Sequence, residues 1–344
     1  AFRGRSRISS LSELSRLTHK RNVASFPPYF LPASYRDSLS AVALRAEQRI
    51  MRFLEKNLYS RYLKEMVSPV SRDLRVNSRN WKNSPDIFQV LKFLSKEFKL
   101  MGYKNVCEHT SMHEGRVVKN VVVYVPGSKQ SGDTVTMGAH YDSLPEYGRA
   151  PGAVDNGSGS AAVLAMAAAM AAAKVQTEKN VYFVMFGGEE AGLYGSDSFA
   201  ESLKRGSDAS FPLPSTCRSP KGSSQSTHDA IIMDMIGWRD PDISKDTVTL
   251  ETKEWAKHLL PHLAMSNKVN NGDRLALQYS YDPYGSDHDS WLKRGMPAVL
   301  TIDNDGDAEK YPCYHKSCDT IDNVNVQLAT EISRMNLGAF VRLA

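Results

Sequence analysis

The sequence has few of the patterns that mark several common classes of protein. It contains only four cysteines, and no two of them form a Cys-x-x-Cys pair, so a structural zinc ribbon is not expected. No Gly-x-Ser-x-Gly motif is present, which argues against a serine hydrolase. The longest apolar run, Ala161–Ala173, has thirteen residues and is too short to span a bilayer. We therefore predict no transmembrane segment.

Positive charge is unevenly distributed along the chain. The formal net charge of the 344 residues is +5, but the excess lies mostly within residues 1–50. No later element clusters lysine and arginine as a nucleic-acid-binding face requires, so we expect no nucleic-acid partner. The basic, serine-rich start resembles an organelle-targeting sequence, and because the first residue is not Met we expect a processed product or a fragment.

The few cysteines leave two interpretations open. Cys313 and Cys318 bracket the four residues Tyr-His-Lys-Ser, a spacing that suits a small disulfide loop. Such a bridge is typical of an oxidising compartment. The alternative is that all four cysteines are free thiols.

Hydrophobic periodicity predicts helices near the start of the chain and an alternation of strands and helices after them. Helices are predicted over residues 38–66, 84–101, 161–174, 251–268 and 287–294. Strands are predicted over residues 117–125, 134–139, 181–186, 230–235, 247–252 and 297–302, and a Ser- and Pro-rich surface loop over 203–227. Because strands alternate with helices, we predict one α/β domain with a mixed, largely parallel central sheet flanked by helices.

Two adjacent carboxylates follow an apolar run that reads as a buried strand. Glu189 and Glu190 come directly after Val181–Gly188, at the carboxyl end where α/β sheets place their active sites. Neighbouring carboxylates repel each other, and a metal ion relieves that repulsion. One of the two can then bind the ion while the other moves protons.

Further histidine and acidic residues fall at strand ends or in the loops after them. They are His140, Asp142, Asp155, Asp234 and His315. Taken singly, His140 is also readable as a hydrogen-bonded core histidine and Asp155 as a helix cap. Asp234 is harder to explain in that way, because an ionised carboxylate in a buried strand costs several kcal/mol unless it is paired or bound to metal. Imidazole and carboxylate ligands without thiolate suit Zn²⁺ in a hydrolytic site.

Several segments, in this order along the chain, resemble the M28 family of co-catalytic zinc metallopeptidases. They are 138–143, 151–159, 186–196, 234–237, 286–288, 314–315 and 319–320. The resemblance spans roughly residues 85–344 and implies the zinc-dependent exopeptidase fold. We accordingly divide the chain into a basic extension and helix over residues 1–50 and a catalytic domain over residues 51–344.

The resemblance also implies a role for each matching residue. Two zinc ions are expected, and the implied metal ligands are His140, Asp155, Glu190, Asp234 and His315, with Asp155 as the bridge. Glu189 is expected to be the general base, and Asp142 to orient the imidazole of His140. His288 and Tyr314 are candidate substrate residues, although the alternative for the turn before Trp291 is a helix cap formed by Ser286 or Asp287.

The expected activity is that of an aminopeptidase acting on peptides with a free N-terminus. The alternatives are a carboxypeptidase or dipeptidase of the same family and a glutaminyl-peptide cyclase, which keeps a single zinc. A related binding protein without activity is the non-enzymatic alternative, but it would be expected to lack ligands. The family's habits and the possible disulfide favour a secreted, vesicular or vacuolar location, whereas the sequence gives no basis for an oligomeric state.

Overall fold

A mixed β-sheet forms the centre of the fold. The computed structural model describes residues 23–25, 41–67, 78–82, 84–129, 131–219, 226–272, 274–304 and 306–344. Within these residues the strands are β1 (Ala24–Ser25), β2 (Asn105–His113), β3 (Arg116–Val125), β4 (Thr134–His140), β5 (Asn180–Phe186), β6 (His228–Met233), β7 (Thr247–Glu251), β8 (Ala276–Ser280) and β9 (Ala298–Asp303). Their order across the sheet is β1-β8-β7-β9-β6-β4-β5-β3-β2.

The four central strands of the sheet run parallel to one another. β5, β4, β6 and β9 are neighbours and pair in parallel, whereas β3 and β7, on either side of them, pair antiparallel with β5 and β9. All residues of these four strands are buried. Because parallel strands end at the same edge, whatever follows β4, β5 and β6 meets on one side of the molecule.

Helices cover both faces of this sheet. They are α1 (Ala41–Met51), α2 (Lys56–Val67), α3 (Ser84–Leu100), α4 (Gly159–Ala173), α5 (Tyr194–Arg205), α6 (Leu260–Asn271), α7 (Asp289–Leu292) and α8 (Val326–Leu343). Phe183 and Phe186 of β5 point to opposite faces, as residues three apart in a strand do. The ring of Phe183 lies 5.5 Å from Phe340 of α8, and that of Phe186 lies 5.9 Å from Trp291 of α7. The predicted α/β class and mixed sheet are thus confirmed.

Several predicted elements differ from those in the structure. The predicted helix over 38–66 is two helices, α1 and α2, separated at residues 52–55, and its first three residues lie outside the described ones. The predicted helix over 251–268 starts with a 3₁₀ turn at Glu254–Leu259, and the one over 287–294 is reduced to α7. Strands β1, β2 and β8 and helices α5 and α8 were not predicted. In β2 the buried face includes polar His109 and Ser111, whereas apolar Met112 is exposed, so the strand lacks the alternation of apolar and polar residues that predicts a half-buried strand.

The cysteines form two disulfides. Cys313 is bonded to Cys318, as one of the two interpretations of the sequence required. Cys107 of β2 is bonded to Cys217, which lies 110 residues further along the chain. The alternative of four free thiols is therefore wrong.

The N-terminal helices belong to the same hydrophobic core as the sheet. Ile50 and Met51 of α1 are buried in that core, and α1 contacts both α4 and α8. The predicted boundary between residues 50 and 51 falls inside α1. Most of the predicted basic extension lies outside the described residues.

One apolar stretch is long enough to cross a membrane by length and composition. It is Ala153–Ala173, the only such helix among the residues that the structure describes. However, 83% of its most apolar window is buried inside the fold, where α4 packs against α2 and β4. Its contacts are those of a core helix.

Candidate metal centre

Acidic and imidazole side chains converge at the carboxyl ends of the parallel strands, which together form the carboxyl edge of the sheet. His140 is the last residue of β4, Glu189 and Glu190 follow β5, and Asp234 follows β6. The loop before α4 contributes Asp155, and the loop before α8 contributes His315. All six side chains are buried. The topology of the sheet therefore brings together every residue that the sequence predicted as a ligand or base.

The imidazole of His140 lies at the centre of this group. Its Nε2 atom is 3.2 Å from Oδ1 of Asp234 and 3.4 Å from Oδ1 of Asp155. Oε2 of Glu189 is 4.0 Å from the same nitrogen. The Nδ1 atom, on the other side of the ring, faces the backbone carbonyl of Asp142 at 3.2 Å. Nε2 is thus the nitrogen available to a metal ion.

Asp155 stands between the two histidines. Its Oδ1 faces His140, and its Oδ2 lies 3.1 Å from Nε2 of His315. The same nitrogen of His315 is 3.1 Å from Oε2 of Glu190. Ligand atoms of His140, Asp155 and Asp234 lie within 4.8 Å of one another, and so do those of Asp155, Glu190 and His315. These two sets of three possible ligands share Asp155.

Asp142 supports the centre from behind. Its Oδ1 lies 3.7 Å from Nδ1 of His140 and accepts a hydrogen bond from the backbone N–H of Glu189 at 3.3 Å. Its Oδ2 accepts one from the backbone N–H of Glu190 at 3.4 Å. The carboxylate of Asp142 therefore holds the backbone of the Glu-Glu pair, whereas Nδ1 of His140 is within hydrogen-bond distance of the backbone carbonyl of the same residue.

The ionisation of the two histidines follows from the carboxylates around them. Burial alone lowers the pKa of an imidazole, but Asp234 and Glu189 outweigh burial and raise the pKa of His140 well above its usual value. For His315 burial also acts to lower the pKa, and Glu190 and Asp155 raise it to about 10. Burial acts to raise the pKa of Asp155, yet hydrogen bonds to both histidines lower it.

This donor set fits zinc. Nitrogen and carboxylate oxygen atoms without a thiolate are the ligands of hydrolytic zinc sites, and the carboxylates outnumber the histidines. A third grouping, His140 with Glu189 and Glu190, also has ligand atoms within 4.8 Å of one another. Repulsion among so many buried carboxylates is relieved by divalent cations. The alternatives of a core histidine at 140 and a helix cap at 155 are therefore not supported, because both side chains face the cluster.

The turn before α7 does not form the helix cap that was one of its predicted roles. Neither Ser286 nor Asp287 caps the helix: its N-cap is His288, without a side-chain hydrogen bond. The hydroxyl of Ser286 instead donates to Oδ2 of Asp234 at 2.9 Å. The ring of His288 is fully buried, and its role in substrate binding stays a prediction. Tyr314, the other predicted substrate residue, stacks on His315 with ring centroids 3.8 Å apart.

Two supporting residues had no role in the sequence predictions. The carboxylate of Asp319 accepts hydrogen bonds from the backbone N–H groups of Val154 and Asp155, at 2.8 and 3.0 Å. The amide of Asn156 donates to the carbonyl of Met233 at 2.8 Å, immediately before Asp234. Both residues lie in segments that matched the family motif, so the sequence held a signal for each. Nothing local indicated that Asn156 joins the Asp155 loop to β6.

Comparison with known proteins gives a consistent result. The sequence profile of peptidase family M28 matches residues 120–340. The chain is 29% identical over 236 residues to leucine aminopeptidase 1 of Sclerotinia sclerotiorum, covering 65% of this chain and 56% of that protein. It is 26% identical over 262 residues to a probable zinc metalloprotease of Pyrenophora tritici-repentis, covering 66% and 52%. The chain thus spans a little over half the length of these curated relatives.

Solved structures show the same fold. The LapA aminopeptidase of Legionella pneumophila has a TM-score of 0.65 and 21% identity, over 95% of this chain and 78% of that chain. A glutaminyl cyclase of Tannerella forsythia has a TM-score of 0.62 and 18% identity, over 84% of this chain and 98% of that chain. At these identities the likeness establishes the architecture alone.

Proposed function

Because the chain belongs to peptidase family M28, we propose that it is a two-zinc aminopeptidase that releases N-terminal residues from peptides. The observation that carries this proposal is the position of Asp155, which faces His140 with one oxygen and His315 with the other. A carboxylate shared by two ligand sets is suited to bridge two metal ions. In the proposal His140 and Asp234 complete one set, and Glu190 and His315 the other.

Glu189 is the proposed general base. When bound, a pair of zinc ions lowers the pKa of a water molecule and polarises the peptide carbonyl. Glu189 is buried at the same edge, with Oε2 4.0 Å from Nε2 of His140, and in the proposal it is left out of both ligand sets. It takes the proton of the attacking water and passes it to the leaving amine. Asp142 holds the backbone of Glu189 in place during both transfers.

The named relatives bear on the substrate, because they include a leucine aminopeptidase. This similarity favours aminopeptidase over carboxypeptidase action.

A substrate panel tests the proposal directly. Amino-acid amides and peptides with a free amine should be hydrolysed, and their N-acetylated counterparts should not. Elemental analysis of the purified chain should find about two zinc ions per chain. Cleavage of N-blocked peptides from the C-terminus would replace this proposal by carboxypeptidase action. A purified chain with neither zinc nor turnover would indicate a binding protein.

A glutaminyl-peptide cyclase is the second candidate, because a solved cyclase covers 84% of this chain in structural comparison. Such an enzyme releases ammonia from an N-terminal glutamine without cleaving the peptide bond. Peptides beginning with glutamine separate the two activities: the aminopeptidase liberates free glutamine, and the cyclase leaves a blocked peptide of the same length. Retention of both predicted ligand sets favours the aminopeptidase.

We also propose a secreted, vesicular or vacuolar location. The support is that all four cysteines are paired in disulfides, as is typical of oxidising compartments. Mass spectrometry of the chain purified from its own cells, with free thiols alkylated before reduction, tests this. Alkylation of all four cysteines in that experiment would place the protein in a reducing compartment.

A further inference from the structure

Arg79 is a buried arginine that precedes the region matched by the family profile. Only 2% of it is exposed, although arginine is among the residues least often buried. Its guanidinium donates from Nε to the carbonyl of Tyr141 at 2.9 Å, from Nη1 to that of Pro151 at 2.5 Å and from Nη2 to that of Gly152 at 2.5 Å. One side chain thus binds three backbone carbonyls at the two ends of the single loop between β4 and α4, residues 141–158, and its Nη1 also faces the carbonyl of Met66, near the end of α2, at 3.4 Å.

Both ends of this loop carry metal-centre residues. Tyr141 lies between His140 and Asp142 where the loop leaves β4, and Gly152 lies three residues before Asp155 where it enters α4. The main chain of Arg79 makes the same connection. Its carbonyl accepts from the N–H of Ser143 at 3.0 Å, and its N–H donates to the carbonyl of Ala150 at 3.2 Å. The side chain and the main chain of Arg79 therefore both join the His140 end of the loop to its Asp155 end.

The loop before α4 closes tightly around the guanidinium. Gly152 has a φ of +56°, and a Cβ atom built there would lie 3.0 Å from Nη2 of Arg79 and would collide with the carbonyl oxygen of Asp155. Only a residue without a side chain fits this position without strain. The close fit means that the loop cannot shift freely relative to the arginine.

The charge of Arg79 suits its surroundings as well. Burial lowers its pKa to about 10, while Asp319, Asp155 and other carboxylates of the centre act in the opposite direction. The side chain is therefore a cation at neutral pH. A planar guanidinium can serve three carbonyls in fixed directions, which the single ammonium of a lysine cannot.

We propose that Arg79 is a positioning residue of the metal centre, which fixes the distance between His140 and Asp155 by binding both ends of the loop that separates them. The inference rests on the proposed function only for its catalytic consequence, because its direct consequence is the affinity of the chain for zinc. Arg79 does not reach the reacting atoms in this account. It acts through the two ligands that it holds.

Arg334 of α8 provides a matched control. It also donates to three backbone carbonyls, those of Met51 and Leu54 at 3.2 and 3.3 Å through Nη1 and that of Asn270 at 3.2 Å through Nη2. These carbonyls lie at the ends of α1 and α6 and on the turn after α1, and none belongs to a ligand loop. If the loss of these hydrogen bonds lowers only the general stability, substitution of either arginine should therefore have that effect.

The experiment compares Arg79→Met, Arg79→Lys and Arg334→Met with the natural chain. Zinc affinity is measured by competition with a chromophoric chelator. The coordination geometry is measured by the visible absorption of the Co²⁺-substituted protein, and the stability of the metal-free chains by thermal unfolding. We expect Arg79→Met to weaken zinc binding by about 10- to 100-fold, as loss of a residue that supports a ligand does. Arg334→Met should lower the unfolding temperature and leave zinc affinity unchanged.

Arg79→Lys tests geometry against charge. We expect it to fold and to bind zinc almost as weakly as Arg79→Met, with an altered Co²⁺ spectrum, because the ammonium cannot bind all three carbonyls. Wild-type zinc affinity in Arg79→Lys, or equal losses in Arg79→Met and Arg334→Met, would overturn the proposal. If Arg79→Met does not fold, the lysine variant alone decides. Absence of peptidase activity in the natural chain would refute the proposed function, and the zinc titrations would still decide the role of Arg79.

Discussion

Two histidines are buried at opposite ends of the parallel strands, and their pKa values are shifted in opposite directions. At the carboxyl edge burial acts to lower the pKa of His140, but Asp234 and Glu189 raise it well above its usual value. At the other edge His228 begins β6, and burial together with the ammonium of Lys204 lowers its pKa to about 4. The two residues are 1% and 3% exposed, so burial is not what separates them.

The difference lies in the carboxylates that each edge brings to the histidine. Near His228 the acids are few, and the imidazole is neutral with Nδ1 bonded to the hydroxyl of Thr134 at 2.9 Å. Around His140 the carboxylates are in excess and require cations, which are protons in the absence of metal. A buried histidine is therefore a sign of a metal centre only where carboxylates converge on it.

The largest effect should follow from removing one negative charge at the carboxyl edge without removing a proposed ligand. Glu189→Gln should reduce kcat by about 10²–10⁴-fold, because a glutamine cannot accept the proton of the attacking water. Zinc content, measured by elemental analysis, should stay at the wild-type value. Activity within a few-fold of wild type would exclude Glu189 as the base.

The shared ligand gives the next test. Asp155→Asn should reduce the zinc content and should cost more activity than the roughly 10- to 100-fold typical of a supporting residue. The matched control is Asp229→Asn at the opposite edge, where the carboxylate lies 3.2 Å from Nζ of Lys179 and faces no ligand. If both variants keep the full zinc content, Asp155 is not a bridging ligand.

Metal removal should destabilise the carboxyl edge alone. A metal ion whose free concentration is about 1,000 times its dissociation constant stabilises a folded chain by about 4 kcal/mol. Treatment with a chelator should therefore lower the unfolding temperature of the natural protein. The Asp155→Asn variant should respond less, because it holds less metal. An equal response of both proteins would show that the chelator acts elsewhere.

The smallest effect concerns His228 and has a defined pH window. Its pKa is about 4 in the folded chain, below the usual 6.5, so between these values the unfolded state binds a proton that the folded state does not. The free energy of unfolding should fall as the pH falls from 6.5 to 4, by about 3 kcal/mol for this residue.

His228→Asn should remove that part of the pH dependence, because asparagine can replace the Nδ1 hydrogen bond but does not titrate. Denaturant unfolding at a series of pH values measures it. His262, whose pKa burial also lowers to about 4, is common to both proteins and cancels in the comparison. Identical slopes for the two proteins would show that His228 titrates normally.

Much of the metal centre could be predicted because its signals are local. An apolar run that ends in Glu189 and Glu190, or that is interrupted by Asp234, places a charge where burial is costly, and this is visible in a few consecutive residues. The central strands were predicted for the same reason. The strands that were not predicted, β1, β2 and β8, lie towards the sides of the sheet, and β2 and β8 mix polar with apolar residues.

Other features were not predictable because they join distant parts of the chain. Nothing near Cys107 indicates a partner 110 residues away at Cys217. Arg79 reads in the sequence as one charge in a polar segment, and arginines of that kind are normally solvated. Its burial becomes apparent only when the loop between β4 and α4 is folded around it.

The sequence by itself determined which residue types are present for the chemistry and on which strand ends they lie, because side-chain chemistry and strand periodicity are properties of neighbouring residues. The tertiary structure decided that Asp155 faces both His140 and His315 and that Arg79 binds both ends of the loop between β4 and α4. These facts depend on the order and direction of strands that are far apart in the chain. Parallel pairing of β4, β5 and β6 brings their ends to one edge, and no local pattern specifies that pairing.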